Sequence, residues 1–299
     1  MSGVLSERWV ASALRCPRCG APLSPGAHLV RCLACGPYPV LGDVPVLVPD
    51  PAAWCARFHD AALAALAEHG LADRESVAVV QAFASGRHVA PEAFGDDWAP
   101  HELEGAAAPK PVRGPAAKAL AALQREHERS GPAAWLLKHV GPARLALEVG
   151  CGVGGRSELL AAKVAHLVVG DLSLRAVLHA RRRAARHAAE VAAVVLDARA
   201  LPLRRGAVDL LLAEHLVDLL DEPGDFLDGV RRVLKRGGHA FVTTPEPSLG
   251  LRDDEALVEL AHQAGLEVCE RRDGLPWLRV NSPRFVETYL VQALCLSPR

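Results

Sequence analysis

Aromatic residues are scarce in this 299-residue chain: five Trp, two Tyr and six Phe make up 4% of it, beside a single Met. Such a chain offers no row of rings on which unpaired bases could stack, and its core has to be built from Leu, Val and Ala on closely packed helices. Net charge is nearly absent as well. Lys and Arg number 34 against 35 Asp and Glu, a formal charge of −1, so no global field draws in nucleic acid or an anionic membrane. No apolar run approaches the ~20 residues that span a bilayer, and the N-terminal stretch lacks the apolar core of a secretory leader. The expectation is a cytoplasmic protein without a membrane partner. With 50% hydrophobic residues there is material for one full α/β domain and a smaller one.

What is present begins with cysteine. Cys16 and Cys19, then Cys32 and Cys35, form two Cys-x-x-Cys knuckles, and each knuckle presents two sulfurs to one tetrahedral metal. Gly20 and Gly36 follow the knuckles and let the backbone turn its amides toward the thiolates. The reading is a structural zinc ribbon with four protein ligands and no open position. The alternative, two disulfides, needs an oxidising compartment. Cys55, Cys151, Cys269 and Cys295 stand singly in apolar surroundings and are expected in the core.

Three regions follow from the pattern. Residues 1–50 hold the ribbon, with β-prone stretches over 27–31 and 38–48. Residues 51–142 form a helical linker or cap, with helices expected over 53–68, 73–84 and 116–128, a Pro/Gly-rich linker over 105–115, and an aromatic island at Phe94 and Trp98. Residues 143–299 alternate strand and helix. Short apolar strands are expected at 144–149, 166–171, 192–196, 208–213, 239–244, 266–271 and 286–296. Between them lie a helix carrying Leu227, Val230 and Leu234 on one face and stopping at Gly237-Gly238, and another over 253–264. Arg175, Arg181, Arg182, Arg183 and Arg186 make one helix basic, most simply a solvated outer face, with RNA contact the alternative. The fold class is α/β, a Rossmann-like doubly wound sheet of seven strands with a small N-terminal ribbon.

The first strand of that region ends in Glu148-Val149-Gly150-Cys151-Gly152-Val153-Gly154-Gly155. A glycine-rich turn leading into a helix lets backbone amides approach a cofactor. Gly150, Gly152 and Gly155 satisfy the dinucleotide pattern G-x-G-x-x-G, with Asp171 at the distance of a ribose contact. Glu148, Gly150, Gly152 and Gly154 equally read E-x-G-x-G-x-G.

Two resemblances bear on the choice. The run Leu14 to Gly20, Cys32 to Cys35 and Tyr38-Pro39-Val40 through Asp43-Val44-Pro45-Val46-Leu47-Val48 resembles the small zinc-ribbon proteins that activate methyltransferases acting on tRNA, rRNA and release factors. The glycine turn, Val168 to Ser173, Leu196-Asp197-Ala198, Leu201-Pro202-Leu203, Val208 to Ala213, and Val233 to Gly238 leading to Phe241–Pro245 resemble, in that order, the class I methyltransferases that use S-adenosylmethionine. This resemblance implies that Asp171 takes both ribose hydroxyls, with Leu172 beside it. It also implies that Asp197 and the Ala198 amide meet the adenine, while Glu148, Gly150, Gly152 and Gly154 shape the methionine end. Taken alone, Asp197 reads equally as a helix N-cap and Asp171 as a turn residue.

Catalysis is less legible. Glu214 and His215 follow the fourth strand and would face the transferred methyl group, His215 with an intrinsic pKa suited to a general base. A histidine simply bonded within its loop is the competing reading. The family's later Leu-Glu-His triplet is replaced here by Val217-Asp218-Leu219. The lack of an Asn/Asp-Pro-Pro-Tyr/Phe motif argues against amide or adenine-amine acceptors, and the lack of a Pro-Cys or Thr-Cys nucleophile against cytosine carbon. The acceptor expected is an oxygen or nitrogen of a small molecule, with Trp277 and Tyr289 lining its pocket. RNA or a translation-related protein is the alternative substrate, and a non-enzymatic cofactor-bound scaffold the alternative function.

Overall fold

The computed structural model describes residues 8–26, 28–85, 114–245, 255–282 and 284–299. The Phe94 to Trp98 island and nearly all of the 105–115 linker lie outside them. The cysteine-bearing segment contains α1 (Arg8–Ala13), β1 (Leu29–Cys32), β2 (Gly36–Leu41) and β3 (Val44–Leu47). Five helices follow: α2 (Pro51–Arg57), α3 (His59–Glu68), α4 (Arg74–Ala84), α5 (Pro115–Ser130) and α6 (Pro132–His139). Then come β4 (Ala143–Val149), α7 (Gly155–Ala161), β5 (Val164–Asp171), α8 (Leu174–Ala184), β6 (Glu190–Leu196), β7 (Val208–Glu214), α9 (Pro223–Val233), β8 (Leu234–Thr244), α10 (Ala256–Gln263), β9 (Leu266–Ser282) and β10 (Phe285–Pro298).

One sheet runs through the molecule in the order β1-β2-β3-β6-β5-β4-β7-β8-β10-β9. Strands β6, β5, β4, β7 and β8 are parallel, and β10 returns antiparallel between β8 and β9. Order reverses at β4, the point at which a doubly wound sheet opens a crevice beyond its strand ends. The expected seven strands are β4 to β10, but they do not complete the sheet, which has ten among the described residues. Val46 and Leu47 of β3 pair in parallel with Val195 and Leu196 of β6, so the cysteine-bearing segment continues the sheet and covers an edge that would otherwise lie open.

Two apolar layers flank the sheet. Phe226, Leu227 and Val230 of α9 and Leu257 and Ala261 of α10 pack on one face with Val10 and Tyr38. Trp54, Leu66, Val80, Trp135, Leu160 and Val177, drawn from α2, α3, α4, α6, α7 and α8, cover the other together with Phe58 between α2 and α3. Asp50 caps α2, its Oδ1 accepting from the Ala53 amide at 2.9 Å, with Pro51 at the first turn.

Three local expectations are corrected. The single helix over 53–68 is broken at Phe58 (φ −102°, ψ 21°), where the ring turns into the core and meets Trp54 at 5.4 Å. The helix carrying Leu227 stops at Val233, because Leu234 already pairs with Val208 as the first residue of β8. The basic helix α8 is not a bare solvated face: Arg175 pairs with Glu68 of α3 at 2.7 Å and Arg181 with Asp43 at 2.5 Å.

Candidate functional site

At the end of β4 the chain makes its glycine turn. Gly150, Gly152 and Gly154 all have positive φ (71°, 49° and 87°), a region that only glycine enters without strain. At Gly154 space decides as well, because a Cβ there would fall 2.4 Å from Ala180 Cα. Helix α7 therefore seats directly on α8. A Cβ on Gly150 would press on Leu216 Cδ1 at 3.2 Å, so the turn and the loop after β7 touch.

Three carboxyl groups stand at the C-terminal ends of β4, β5 and β6. Glu148, 3% exposed, accepts from the Ser157 hydroxyl of α7, which locks the strand end to the helix start. Burial pushes its carboxyl up to about 8 against the pull of the Ser157 bond, with the charges of Glu214 and Asp171 adding to the rise. Asp171, at the tip of β5, accepts from the Gly152 amide through Oδ2 and the Ser173 amide through Oδ1, both at 3.0 Å. Burial raises its carboxyl too, against those amide bonds. Asp197, just past β6, caps a short 3-10 turn through the Arg199 amide at 2.9 Å and is gripped by the Arg199 guanidinium at 3.0 and 2.8 Å. Burial acts to raise it, and the Arg199 bonds prevail and hold it below the usual range. Ala198 begins that turn and is buried.

Leu172 contributes its carbonyl, which accepts from the Trp54 indole Nε1 at 2.9 Å. Helix α2 is thus tied to the loop after β5. Neither Trp54 nor Ser157 stood out in the sequence, since an indole in an Ala-rich helix and a serine in a first helical turn carry no pattern of their own.

Glu214 and His215 close β7. Glu214 is paired with Arg156 of α7, Oε2 to Nε at 2.7 Å and Oε1 to Nη2 at 3.2 Å, so it is engaged as a counter-ion. His215 has φ 54°, a left-handed backbone that is costly for a side chain with a Cβ. Its amide donates to the Thr243 carbonyl at 3.0 Å, and its ring packs on Trp277 at 4.2 Å, which packs on Tyr289 at 5.0 Å. The ring is thereby held in an aromatic corner built by the β9–β10 hairpin. Burial pushes its pKa down to about 4; Glu214 opposes this, and the charges of Arg156 and His127 reinforce it. A neutral imidazole with Nε2 buried and unbonded results. His127 of α5 donates through Nδ1 to the Pro276 carbonyl at 3.1 Å, so helix α5 braces the same hairpin.

The four N-terminal cysteines come together as their spacing predicts. The Sγ atoms of Cys16, Cys19, Cys32 and Cys35 lie within 4.8 Å of one another, none in a disulfide. Zn–S bonds of about 2.3 Å in a tetrahedron set neighbouring sulfurs ~3.8 Å apart, and Cys19 and Cys32 stand at 3.5 Å. The cluster fits a closed metal site. Tyr38, 1% exposed, places its hydroxyl 3.1 Å from Cys16 Sγ. Of the other cysteines, Cys55, Cys151 and Cys295 are buried as expected, but Cys269 is exposed.

Residues 147–242 match a family model described as a methyltransferase domain. The chain is 29% identical over 140 residues to a malonyl-[acyl-carrier protein] O-methyltransferase of Paenibacillus sp. (strain JDR-2), covering 45% of this chain and 50% of that protein. It therefore spans about half the length of the curated relative it matches. Among solved structures it is similar to the PH0226 protein of Pyrococcus horikoshii (19% identity, 60% of this chain and 91% of that one, TM-score 0.46). It is also similar to a TehB-like SAM-dependent methyltransferase of Corynebacterium glutamicum (18% identity, 61% and 97%, TM-score 0.43). The stretch that matches the methyltransferase-domain model runs from the glycine turn's own strand to the fifth parallel strand.

Proposed function

We propose that the protein is an S-adenosylmethionine-dependent methyltransferase acting on an oxygen or nitrogen of a small molecule. The observation that carries this reading is the turn itself. Three left-handed glycines end β4, and the amide of one of them, Gly152, bonds the Asp171 carboxyl, a group whose two oxygens suit the two hydroxyls of a ribose. In this reading Glu148, Gly150, Gly152 and Gly154 shape the methionine end, Asp171 and Leu172 the ribose end, and Asp197 and the Ala198 amide the adenine. Asp197 would share its carboxylate between Arg199 and the adenine amine.

S-adenosylmethionine supplies a methyl group already activated on a sulfonium. The chain's part is to align an acceptor and exclude water. His215, neutral and packed on Trp277 beside Thr243, is read as the group that takes the acceptor's proton. Glu214 holds Arg156 and fixes the floor beneath it. Trp277 and Tyr289, their rings tilted to one another at 5.0 Å, supply an aromatic wall. The relative's name describes O-methylation of an acyl chain on a carrier protein, which agrees with an oxygen acceptor.

Residues 1–50 are read as a ribbon holding a structural zinc through Cys16, Cys19, Cys32 and Cys35, residues 51–142 as a cap, and residues 143–299 as the methyltransferase domain. Among the described residues no helix is long and apolar enough to cross a membrane, in keeping with a cytoplasmic enzyme. The ribbon's resemblance to activators of translation-linked methyltransferases supports a second reading, an RNA or protein acceptor.

Calorimetry with S-adenosylhomocysteine and with NAD tests the cofactor; preference for NAD overturns it. Incubating labelled cofactor with size-fractionated extract tests the acceptor. Label confined to RNA or protein fractions sinks the small-molecule reading, and binding without any transfer favours a scaffold.

A further inference from the structure

A second group of soft ligands sits near the opposite edge of the sheet from the four-cysteine cluster. His239 lies in β8, Cys295 in β10 and Cys269 in β9, three strands that are neighbours in the order β8-β10-β9. One imidazole nitrogen and the two Sγ atoms lie within 4.8 Å of one another. His239 is level with Leu210 of β7, while Thr243 is level with Glu214. The group therefore stands toward the N-terminal ends of the parallel strands, away from the glycine turn.

Strand register explains the meeting. Cys295 pairs with Phe241 and Leu296 with Ala240, which carries Ser297 alongside His239 and puts Cys295 and His239 on one face. On the other flank Cys295 pairs with Glu270 but Leu296 with Val268, with a register shift between them. Cys269 is the extra residue of a β-bulge. In an unbroken ladder it would point away from Glu270 and hence away from Cys295; a bulge breaks that alternation and re-aims the side chain. Cys269 Sγ accordingly reaches Ser297 Oγ at 3.1 Å, on the same strand as Cys295.

We propose that Cys269, Cys295 and His239 form a second metal site, for a thiophilic divalent cation of the zinc type, with three protein ligands and a fourth position open beside Ser297. Two sulfurs and one imidazole make a soft set that suits zinc and not the oxygen-seeking magnesium or calcium. Bonds of about 2.3 Å to sulfur and 2.0 Å to nitrogen require donor atoms ~3.5 to 3.8 Å apart, so the cluster closes with small side-chain movements. Binding releases the two thiol protons to solvent and leaves the imidazole neutral. Two ligands are exposed and Cys295 is buried. The ion is thus reachable from solvent, unlike one enclosed by four cysteines.

The test is metal analysis of the full chain purified under reducing conditions and equilibrated with excess zinc, then desalted, with Cys32→Ser reporting on the four-cysteine site. Wild type is expected to hold about two equivalents, and Cys269→Ser and His239→Ala about one each. Cobalt added to Cys32→Ser should produce thiolate charge-transfer absorption that is smaller in the Cys32→Ser/Cys269→Ser double variant. Because Cys269 and His239 are exposed, their substitutions should leave the fold intact, as circular dichroism will report. A wild-type content unchanged by both substitutions overturns the proposal. So does cobalt absorption that is equal in Cys32→Ser and in the double variant. Failure of the four-cysteine reading alone looks different: Cys32→Ser would then match wild type, while Cys269→Ser still loses its metal.

Discussion

The Trp54 indole Nε1 donates to the Leu172 carbonyl across 118 positions of sequence, at 2.9 Å. Leu172 follows the Asp171 carboxylate, so a helix from outside the methyltransferase domain match fixes the loop on which the ribose would rest. A neutral hydrogen bond contributes about 1 kcal/mol. Trp54→Phe, which keeps the apolar body, is expected to weaken S-adenosylhomocysteine binding about fivefold. Calorimetry on the folded variant checks this; unchanged affinity would show that the loop holds its shape without the tether.

Gly154→Ala has to find room 2.4 Å from the Ala180 backbone at a φ of +87°. Since both atoms belong to main chain or its first branch, no side-chain rotation relieves the contact. Destabilisation of about 2 kcal/mol or more is expected, read as a lowered midpoint in urea. Gly155→Ala, whose Cβ meets nothing within 4 Å, is the matched control.

Glu148 makes stability depend on pH. Its carboxyl is raised to about 8 in the fold against about 4.3 in an unfolded chain. Between these values the native state binds a proton that the unfolded state has released, so this group's contribution falls as pH rises through that window and is flat above it. Glu148→Gln should flatten the decline between about pH 5 and 8. Urea unfolding across that range is the measurement, and parallel curves for the two proteins would refute the assignment.

His215 is held neutral, with a pKa lowered to about 4. If it accepts the acceptor's proton, kcat/KM should stay level from neutral pH down to about 5 and drop only near 4, not near the ordinary histidine value. His215→Ala should lower kcat about a hundredfold while cofactor affinity stays the same. A variant with full turnover would reduce His215 to a packing partner of Trp277.

Zinc removal should act on the edge of the sheet. Because β3 pairs directly with β6, losing the metal in Cys32→Ser is expected to lower the unfolding temperature by several degrees through fraying of β1 to β3. Cofactor affinity should change less than about threefold, since no cysteine ligand lies near Asp171 in the strand order. Differential scanning calorimetry and titration with S-adenosylhomocysteine separate the two effects.

Much of this architecture is local in origin. The parallel strands β4 to β7 are short, largely apolar runs, and both cysteine knuckles and the glycine turn are contiguous signatures, so periodicity and spacing were enough to find them. The carboxylates at the strand ends were legible for the same reason: Asp171 and Asp197 follow directly on apolar runs. Tertiary structure decided what depends on pairing between distant segments. Nothing in Val46 and Leu47 announces that they add to β6 and carry the sheet to ten strands, because an apolar β-prone run is compatible with many partners. The bulge that turns Cys269 toward Cys295 is a register choice between two strands, invisible in either alone. So too is the neutrality of His215: its intrinsic pKa belongs to the side chain, but the burial that lowers it comes from Trp277, some sixty residues on.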